Sequence, residues 1–289
     1  MPIDRILSET VWQTLPPRQS DTNKGSYGRV LAVAGSALYR GAAALCTEGA
    51  LRAGAGLVYL ASVEPVLQLT LARTPECCAL PCPTGPDGGI TPPGAAGAAR
   101  RVGSENAVLL AGPGLGAGAG GILTELFKSG WRGMVLDADA LNALAAGCCP
   151  PPPENAVLTP HPGEMARLLH TDIAAVQADR PAAARTLAAQ TGCVAVLKGS
   201  GTLIATPQGA LWQNDTGNPG LARGGAGDVL AGIIAGLLAA GLTPGQAACC
   251  GVWLHGAAAD RCARRRGMQT MLPQDIFDDL CALFAAQGR

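Results

Sequence analysis

The chain has 289 residues, of which 48% are hydrophobic and only 3% aromatic, and its 21 Lys plus Arg balance its 21 Asp plus Glu. That length suits one large α/β domain or two closely fused ones, and the scarcity of aromatics means a core of Ala, Leu, Val and Gly, as in helices packed closely on a sheet. The even charge excludes a long-range field for holding nucleic acid or an anionic membrane, so an anionic ligand must be met by a local site.

Asp4, Arg5 and Glu9 precede any apolar run, which excludes an ordinary secretory signal and gives the expectation of a cytoplasmic protein. The first clear strand is 30–34. It leads through Gly35 and Gly41 into an Ala-rich helix over 42–53 and a strand over 57–61, one βαβ unit. Segment 81–99 is rich in Pro and Gly and predicts a surface loop. Strands follow at 107–110, 134–136 and 156–158, each ending in a loop with chemical character: 112–121, Asp137-Ala138-Asp139, and Thr159-Pro160-His161-Pro162-Gly163-Glu164. Ligands of open α/β sheets bind at the carboxyl ends of the strands, so these loops should share one rim.

Runs 193–197, 202–206 and 210–213, separated by turn sequences, predict a β-meander. After a loop over 214–223, helices are expected at 226–240, 246–261 and 274–286. Residues 229–254 carry no charge and are long enough to span a bilayer. Thr243-Pro244-Gly245-Gln246 interrupts them, so two buried helices joined by a turn are expected and no membrane span. The eleven cysteines are odd in number, scattered, and adjacent in three pairs. That fits neither a disulfide framework nor a zinc site, and most should be small buried hydrophobes.

Four motifs carry chemical possibilities. In Gly224-Gly225-Ala226-Gly227-Asp228, small residues precede a helix whose free N–H groups cradle an anion. Asp228 there is either a base taking a proton from a substrate hydroxyl or a helix cap. Lys198-Gly199-Ser200-Gly201-Thr202 offers a cation, flexible backbone and two hydroxyls for the phosphates or ribose of a nucleotide, or is an exposed turn. His161, between two prolines, either orients a polar ligand or makes a structural hydrogen bond, with Glu164 at a helix start. Gly112-Pro113-Gly114-Leu115-Gly116-Ala117 fits a dinucleotide fingerprint, with Asp137 ending the next strand. Against a Rossmann reading, the glycine run matches several registers, and the reading leaves Lys198–Thr202 and Gly224–Asp228 without roles.

Together these motifs resemble those of the ADP/ATP-dependent (S)-NAD(P)H-hydrate dehydratase family of the ribokinase-like superfamily. The resemblance rests on Lys24-Gly25-Ser26-Tyr27-Gly28, Gly35-Ser36, Gly41-Ala42-Ala43, Gly112 to Gly116, Asp137 to Asn142, Thr159 to Glu164, Lys198-Gly199, and Thr216-Gly217-Asn218-Pro219-Gly220 through Asp228, in order over about residues 24–260. It implies a ribokinase-like α/β three-layer sandwich, with a mainly parallel sheet and a meander before the C-terminal helices. It further implies one dehydratase domain over 1–289 without a fused epimerase, an NAD(P)H-hydrate epimerase supplied separately, and a homo-oligomer. The implied reaction returns the (S) epimer of C6-hydrated NADH or NADPH to the reduced dinucleotide, with ADP, or ATP, and Mg2+ as helpers and AMP and phosphate as products from ADP.

By the same resemblance Asp228 is catalytic and contacts substrate. Lys198, Gly199, Ser200, Gly201, Thr202, Gly225, Ala226 and Gly227 hold the nucleotide, and Ala42 or Ala43, Gly114 and His161 line the hydrated dinucleotide site. The ligands of Mg2+ are not assigned. Arg223, before the glycines, either adds a phosphate contact or faces solvent. The rival readings are a kinase of a vitamin-precursor alcohol in the same superfamily, and a non-catalytic nucleotide sensor.

Overall fold

A computed structural model describes residues 3–289. In these residues ten strands form one sheet: β1 (Asp4–Arg5), β2 (Arg29–Val33), β3 (Leu57–Ser62), β4 (Cys78–Pro81), β5 (Ala107–Ala111), β6 (Gly133–Leu136), β7 (Ala156–Leu158), β8 (Val194–Leu197), β9 (Leu203–Ala205) and β10 (Leu211–Gln213). Their order is β1-β10-β9-β8-β7-β6-β5-β2-β3-β4. All pairs from β4 across to β8 are parallel. β9 runs antiparallel to both β8 and β10, which makes the expected meander. The central strands β5, β6, β7 and β8 are buried at every residue, so they read as continuous apolar runs rather than alternating ones.

Among the described residues twelve helices cover the two faces: α1 (Ser8–Thr14), α2 (Arg40–Arg52), α3 (Glu64–Arg73), α4 (Pro92–Val102), α5 (Ala119–Leu126), α6 (Asp139–Ala145), α7 (Pro162–Leu168), α8 (Ile173–Ala178), α9 (Arg180–Thr191), α10 (Ala226–Ala239), α11 (Pro244–Arg266) and α12 (Ile276–Ala285). α2, α3, α10 and α11 pack on one face with α1 and α12 outside them, and α4 through α9 pack on the other. This is the expected three-layer sandwich. No helix of the described residues is long and apolar enough to cross a membrane.

The uncharged stretch resolves into α10 and α11. Thr243 caps α11 by accepting from the Gln246 amide at 3.4 Å, and Pro244 occupies the first turn, where its missing N–H costs nothing. The loop expected over 81–99 is a correction: α4 begins at Pro92 behind Thr91, whose hydroxyl accepts from the Gly94 amide at 3.3 Å. Two prolines at the first helical positions are compatible with a helix, and Ala95, Ala98, Ala99 and Val102 give it a buried face. The cysteines are all free. Five are buried, four half-buried, and Cys148 and Cys281 exposed.

Twelve of the fourteen residues of α10 are buried, as expected of a helix apolar on all sides. It lies between the sheet, at β2, β5 and β6, and the neighbouring α2 and α11. α2 approaches so closely that a Cβ placed on Gly232 would stand 2.1 Å from the Cys46 carbonyl oxygen. Ala normally favours a helix over Gly by about 1 kcal/mol. Here Gly232→Ala is expected to destabilise the protein by about 1–3 kcal/mol, because a backbone must move. A urea midpoint equal to or above wild type would show that the two helices do not cross this closely.

Candidate active site

The chain runs β2, β3, β4 toward one edge of the sheet, then resumes at β5 on the other side of β2 and proceeds outward through β6, β7 and β8. The order therefore reverses between β2 and β5, where adjacent loops diverge and leave a crevice at the carboxyl rim. The loops following those two strands meet there, the Gly35 amide donating to the Pro113 carbonyl at 2.8 Å. Gly114, at φ +66°, packs so that a Cβ would fall 2.7 Å from Tyr39 Cβ and 3.4 Å from Ala42 Cβ. Ala42 is half-buried beside it. Ala43 is fully buried, so of the two alanines only Ala42 has a side chain available to a ligand.

α10 begins on the same rim. Gly225 is its N-cap, at φ +98°, a conformation side chains resist, and a Cβ there would also strike Leu45 at 2.6 Å. The Ala226 amide reaches the Arg223 carbonyl at 3.3 Å, whereas the amides of Gly225, Gly227 and Asp228 have no acceptor among the described residues. These three N–H groups, at the positive end of the helix, are free to meet an anion. Asp228 lies in the first turn, and its side chain makes no cap hydrogen bond. The capping alternative therefore fails for it.

The loops after β6, β7 and β8 place a cluster of charges below this helix start. Asp137, 2% exposed, accepts from Lys198 Nζ at 2.6 Å, and Glu164, 5% exposed, lies 3.7 Å from the same ammonium. A methyl group added at Gly227 would stand 3.5 Å from Lys198 Nζ and 3.6 Å from Asp137 Oδ2. Burial opposes the Lys198 charge, but Asp137 and then Glu164 more than compensate and hold its pKa above the ordinary value. Glu164 is nonetheless raised, because burial outweighs its attraction to an ammonium already committed to Asp137. Asp228 is raised from 3.8 to about 6, first by burial and then by repulsion from Asp137, with Lys198 acting in the opposite sense and Asp139 adding to the rise. A carboxylate tuned to about 6 is matched to accepting a proton near neutral pH.

His161 is the N-cap of α7. Its Nδ1 accepts from the Gly163 and Glu164 amides at 3.0 and 3.3 Å, while Glu164 Oε2 accepts from the His161 amide at 2.8 Å. The ring thus makes the structural hydrogen bonds and still borders a cleft of about 620 Å3. Lys198, Gly199, Ser200, Gly201 and Thr202 form one wall of that cleft and Ala226 with Gly227 another, so the two glycine-containing motifs, remote in sequence, face one cavity. Hollows away from this rim carry less chemistry. One of about 580 Å3 is lined by Leu7, Val11, Trp212 and Pro244. Another holds Lys24 and Tyr27 of the Lys24–Gly28 motif. A Cβ on Gly28 would meet the Ala239 carbonyl oxygen at 2.1 Å, which gives that motif a packing role at the far end of α10.

Several participants had no signal in the sequence reading. Arg180 donates to the Leu197 and Lys198 carbonyls at 3.2 Å each and so anchors the turn after β8. Asp260, on α11, accepts from the Gly217 amide and the Asn218 side chain at 2.9 Å each, fixing the loop that precedes α10. His255 lines the cleft. Burial depresses its pKa to about 4, so it is neutral at physiological pH, and its Nε2 is buried with no hydrogen-bond partner among the described residues. Arg223 is exposed and donates to the Gln269 carbonyl.

A protein-family model described as NAD(P)H-hydrate dehydratase matches residues 30–281. The bifunctional NAD(P)H-hydrate repair enzyme of Moorella thermoacetica is 44% identical over 283 residues, covering 96% of this chain and 53% of that protein. The ADP-dependent (S)-NAD(P)H-hydrate dehydratase of Neisseria meningitidis is 42% identical over 257 residues, covering 84% of this chain and 80% of that one. This chain thus spans about half the length of several curated relatives it matches. A crystal structure of the ADP/ATP-dependent NAD(P)H-hydrate dehydratase of Bacillus subtilis, co-crystallised with ATP/Mg2+, superposes with a TM-score of 0.86 at 32% identity and covers 99% of both chains. The ribokinase-like fold expected from the motifs accords with that likeness.

The raised Asp228 carboxyl has a consequence for stability. The folded protein binds this proton more tightly than the unfolded chain, so the group's ionisation subtracts stability as pH rises from 3.8 through about 6, and the full cost remains above. Asp228→Asn should therefore stabilise the protein at pH 7.5 by about 1–3 kcal/mol, an advantage that fades below pH ~4. Thermal melts at the two pH values check it; a variant less stable than wild type at pH 7.5 would contradict the desolvated setting assigned to Asp228.

Proposed function

We propose, because this chain belongs to the NAD(P)H-hydrate dehydratase family, that it restores NADH or NADPH from the (S) epimer of the dinucleotide hydrated at nicotinamide C6, using ADP. The single observation that carries this reading onto the residues is the seating of Asp228 beside the unpaired amides at the start of α10, above the cleft walled by Lys198–Thr202. Lys198 to Thr202, with Ala226 and Gly227, frame ADP in the cleft. Ala42 and Gly114 border the dinucleotide along the crevice between the β2 and β5 loops, and His161 meets it from the edge of the cleft.

The chemistry follows from the charges. Hydroxide leaves poorly, so the 6-hydroxyl is first made into a phosphate ester. Asp228 accepts the hydroxyl proton as the oxygen bonds to the β-phosphorus of ADP, and the bond to the α-phosphate oxygen breaks to release AMP. The amides of Gly225, Gly227 and Asp228 point at the transferring phosphoryl and hold its charge without reorganising. The ring nitrogen's electron pair then expels phosphate from C6, and loss of a C5 proton regenerates the dihydropyridine. Among the described residues no three His, Cys, Asp or Glu side chains are grouped to hold a metal. Mg2+, when bound with the nucleotide, would neutralise part of the charge of its phosphates. The same family likeness leads us to propose one dehydratase domain, a homo-oligomer acting in the cytoplasm, and dependence on an epimerase for the opposite hydrate, in line with the bifunctional names of the longer relatives.

The test is incubation of the protein with hydrated NADPH, ADP and Mg2+ while following the absorbance of the restored dihydronicotinamide. Recovery dependent on ADP or ATP is expected; none with either nucleotide would remove the reading and leave a nucleotide sensor. Asp228→Asn should lower kcat by at least ~10²-fold, as expected for loss of a general base, with nucleotide affinity changed less than about threefold. Parallel loss of both would make Asp228 a structural residue. The wild-type rate should rise with pH through about 6, where Asp228 loses its proton.

A further inference from the structure

We infer that Asp87, at the tip of the turn between β4 and α4, is a positioning residue for the hydrated dinucleotide: acting through Gly118, it holds the glycine-rich loop after β5 in the shape the crevice needs. The inference deepens the proposed function and rests on the dinucleotide occupying the crevice between the β2 and β5 loops.

The segment 84–90 is a closed hairpin. Thr84 and Ile90 form an antiparallel bridge, the Gly85 amide donates to the Gly89 carbonyl at 2.7 Å, and the Gly88 amide donates to the Gly85 carbonyl at 3.0 Å. Ile90, 2% exposed, anchors it in the core, and one Asp87 oxygen shapes its tip by accepting from the Gly89 amide at 3.1 Å. That tip is pressed onto both loops of the crevice. The Ala37 amide, after β2, donates to the Gly88 carbonyl at 2.9 Å. The other Asp87 oxygen accepts from the Gly118 amide, after β5, at 3.2 Å and across 31 positions of sequence. The contact leaves no room for side chains: a Cβ on Gly88 would stand 2.9 Å from Ala37 Cβ, and one on Gly89 3.0 Å from the Leu115 carbonyl oxygen.

The β5 loop is gripped from its opposite flank as well, where Asp139 Oδ2 accepts from the Gly116 amide at 2.8 Å. Gly114 and Gly116 are held at φ +66° and +75°, and glycines are costly to order. Two carboxylates at alternate residues supply that ordering, and Gly114 is thereby set against Tyr39 and Ala42 at the crevice. They also decide what the loop can meet. The amides of Gly116 and Gly118 lead into α5, where a phosphate would otherwise be drawn. Both are taken by anionic side chains that repel one. The loop therefore meets the dinucleotide through Gly114 and an uncharged part of the ligand, with the pyrophosphate elsewhere.

The test is a pair of binding titrations, NADPH followed by its own fluorescence and ADP by calorimetry, beside the dehydratase assay. Asp87 is exposed, so replacing it leaves the core untouched. Asp87→Ala removes both acceptors and Asp87→Asn one, so the affinity for NADPH should fall about tenfold in the first and about threefold in the second, the scale of two hydrogen bonds and of one. KM for hydrated NADPH should rise in step, while kcat and the affinity for ADP change less than about twofold. Unmoved NADPH affinity, or equal loss for both ligands, overturns the proposal. So does a rise in NADPH affinity, which would mean that the carboxylate had been repelling a pyrophosphate seated on the Gly116 and Gly118 amides.

Hydrogen exchange of the wild-type protein decides the point even if neither variant folds. NADPH should slow exchange in peptides covering 84–90 and 114–118 together, and ADP alone should slow neither. Any other outcome, protection of 114–118 without 84–90 above all, separates the hairpin from the crevice and ends the proposal. The titrations and the exchange need no turnover, so NADPH binding that depends on Asp87 without dehydration counts against the proposed reaction only.

Discussion

The burial of α10 on every side is the constraint around which the molecule is arranged. A helix with twelve of fourteen residues out of water cannot present a polar face anywhere along its length. Its unpaired backbone groups are confined to its two ends. One end is closed by packing, where Gly28 meets the Ala239 carbonyl. The other opens onto the carboxyl rim of the sheet, and there the free amides, the positive end of the helix dipole and Asp228 meet. Glycines at 232 and 236 let α2 approach from the side, and α2 brings Ala42 to the crevice at its own N-terminus.

The charge arrangement below that helix start follows from the sheet. Parallel neighbours β6, β7 and β8 deliver Asp137, Thr159 with the His161–Glu164 cap, and Lys198 to the same level of the rim. Three carboxylates, Asp137, Glu164 and Asp228, then share one ammonium in a setting with little water. Lys198 favours Asp137, with which it makes the shorter contact. The consequence falls on the other two, whose proton affinity is raised. A residue suited to remove a proton near neutral pH is thus produced first by burial and then by repulsion from Asp137, and the same setting costs folding stability above pH 6.

The sequence by itself determined a good deal. Short Val- and Leu-rich runs ending in Gly, Asp or Thr-Pro loops allow few solutions other than strands with functional ends, and the uncharged run broken at Thr243-Pro244 allows two buried helices. Gly224–Asp228 was legible as a helix start with open amides because its chemistry is local: such a start needs only small residues before an apolar run. The His161–Glu164 cap was legible for the same reason, since its partners are three residues apart. Where local composition misled, at α4, the sequence showed prolines and glycines but not that the prolines stood in the first turn and that four small or branched residues had a buried place to go.

What only the tertiary structure decided is everything that depends on distance between remote segments. Lys198 and Asp137 are 61 positions apart, and nothing local shows that this lysine pairs with that carboxylate. The choice between Ala42 and Ala43 depended on which side of α2 faces Gly114. The roles of Arg180 and Asp260 exist only because α9 passes under the β8 turn and α11 passes beside the loop before α10. Backbone chemistry at a helix start is written within a few residues, so a sequence displays it. The proton affinity of Asp228 is set by desolvation and by charges that the sheet order brings from the ends of two other strands, so it comes into being with the fold.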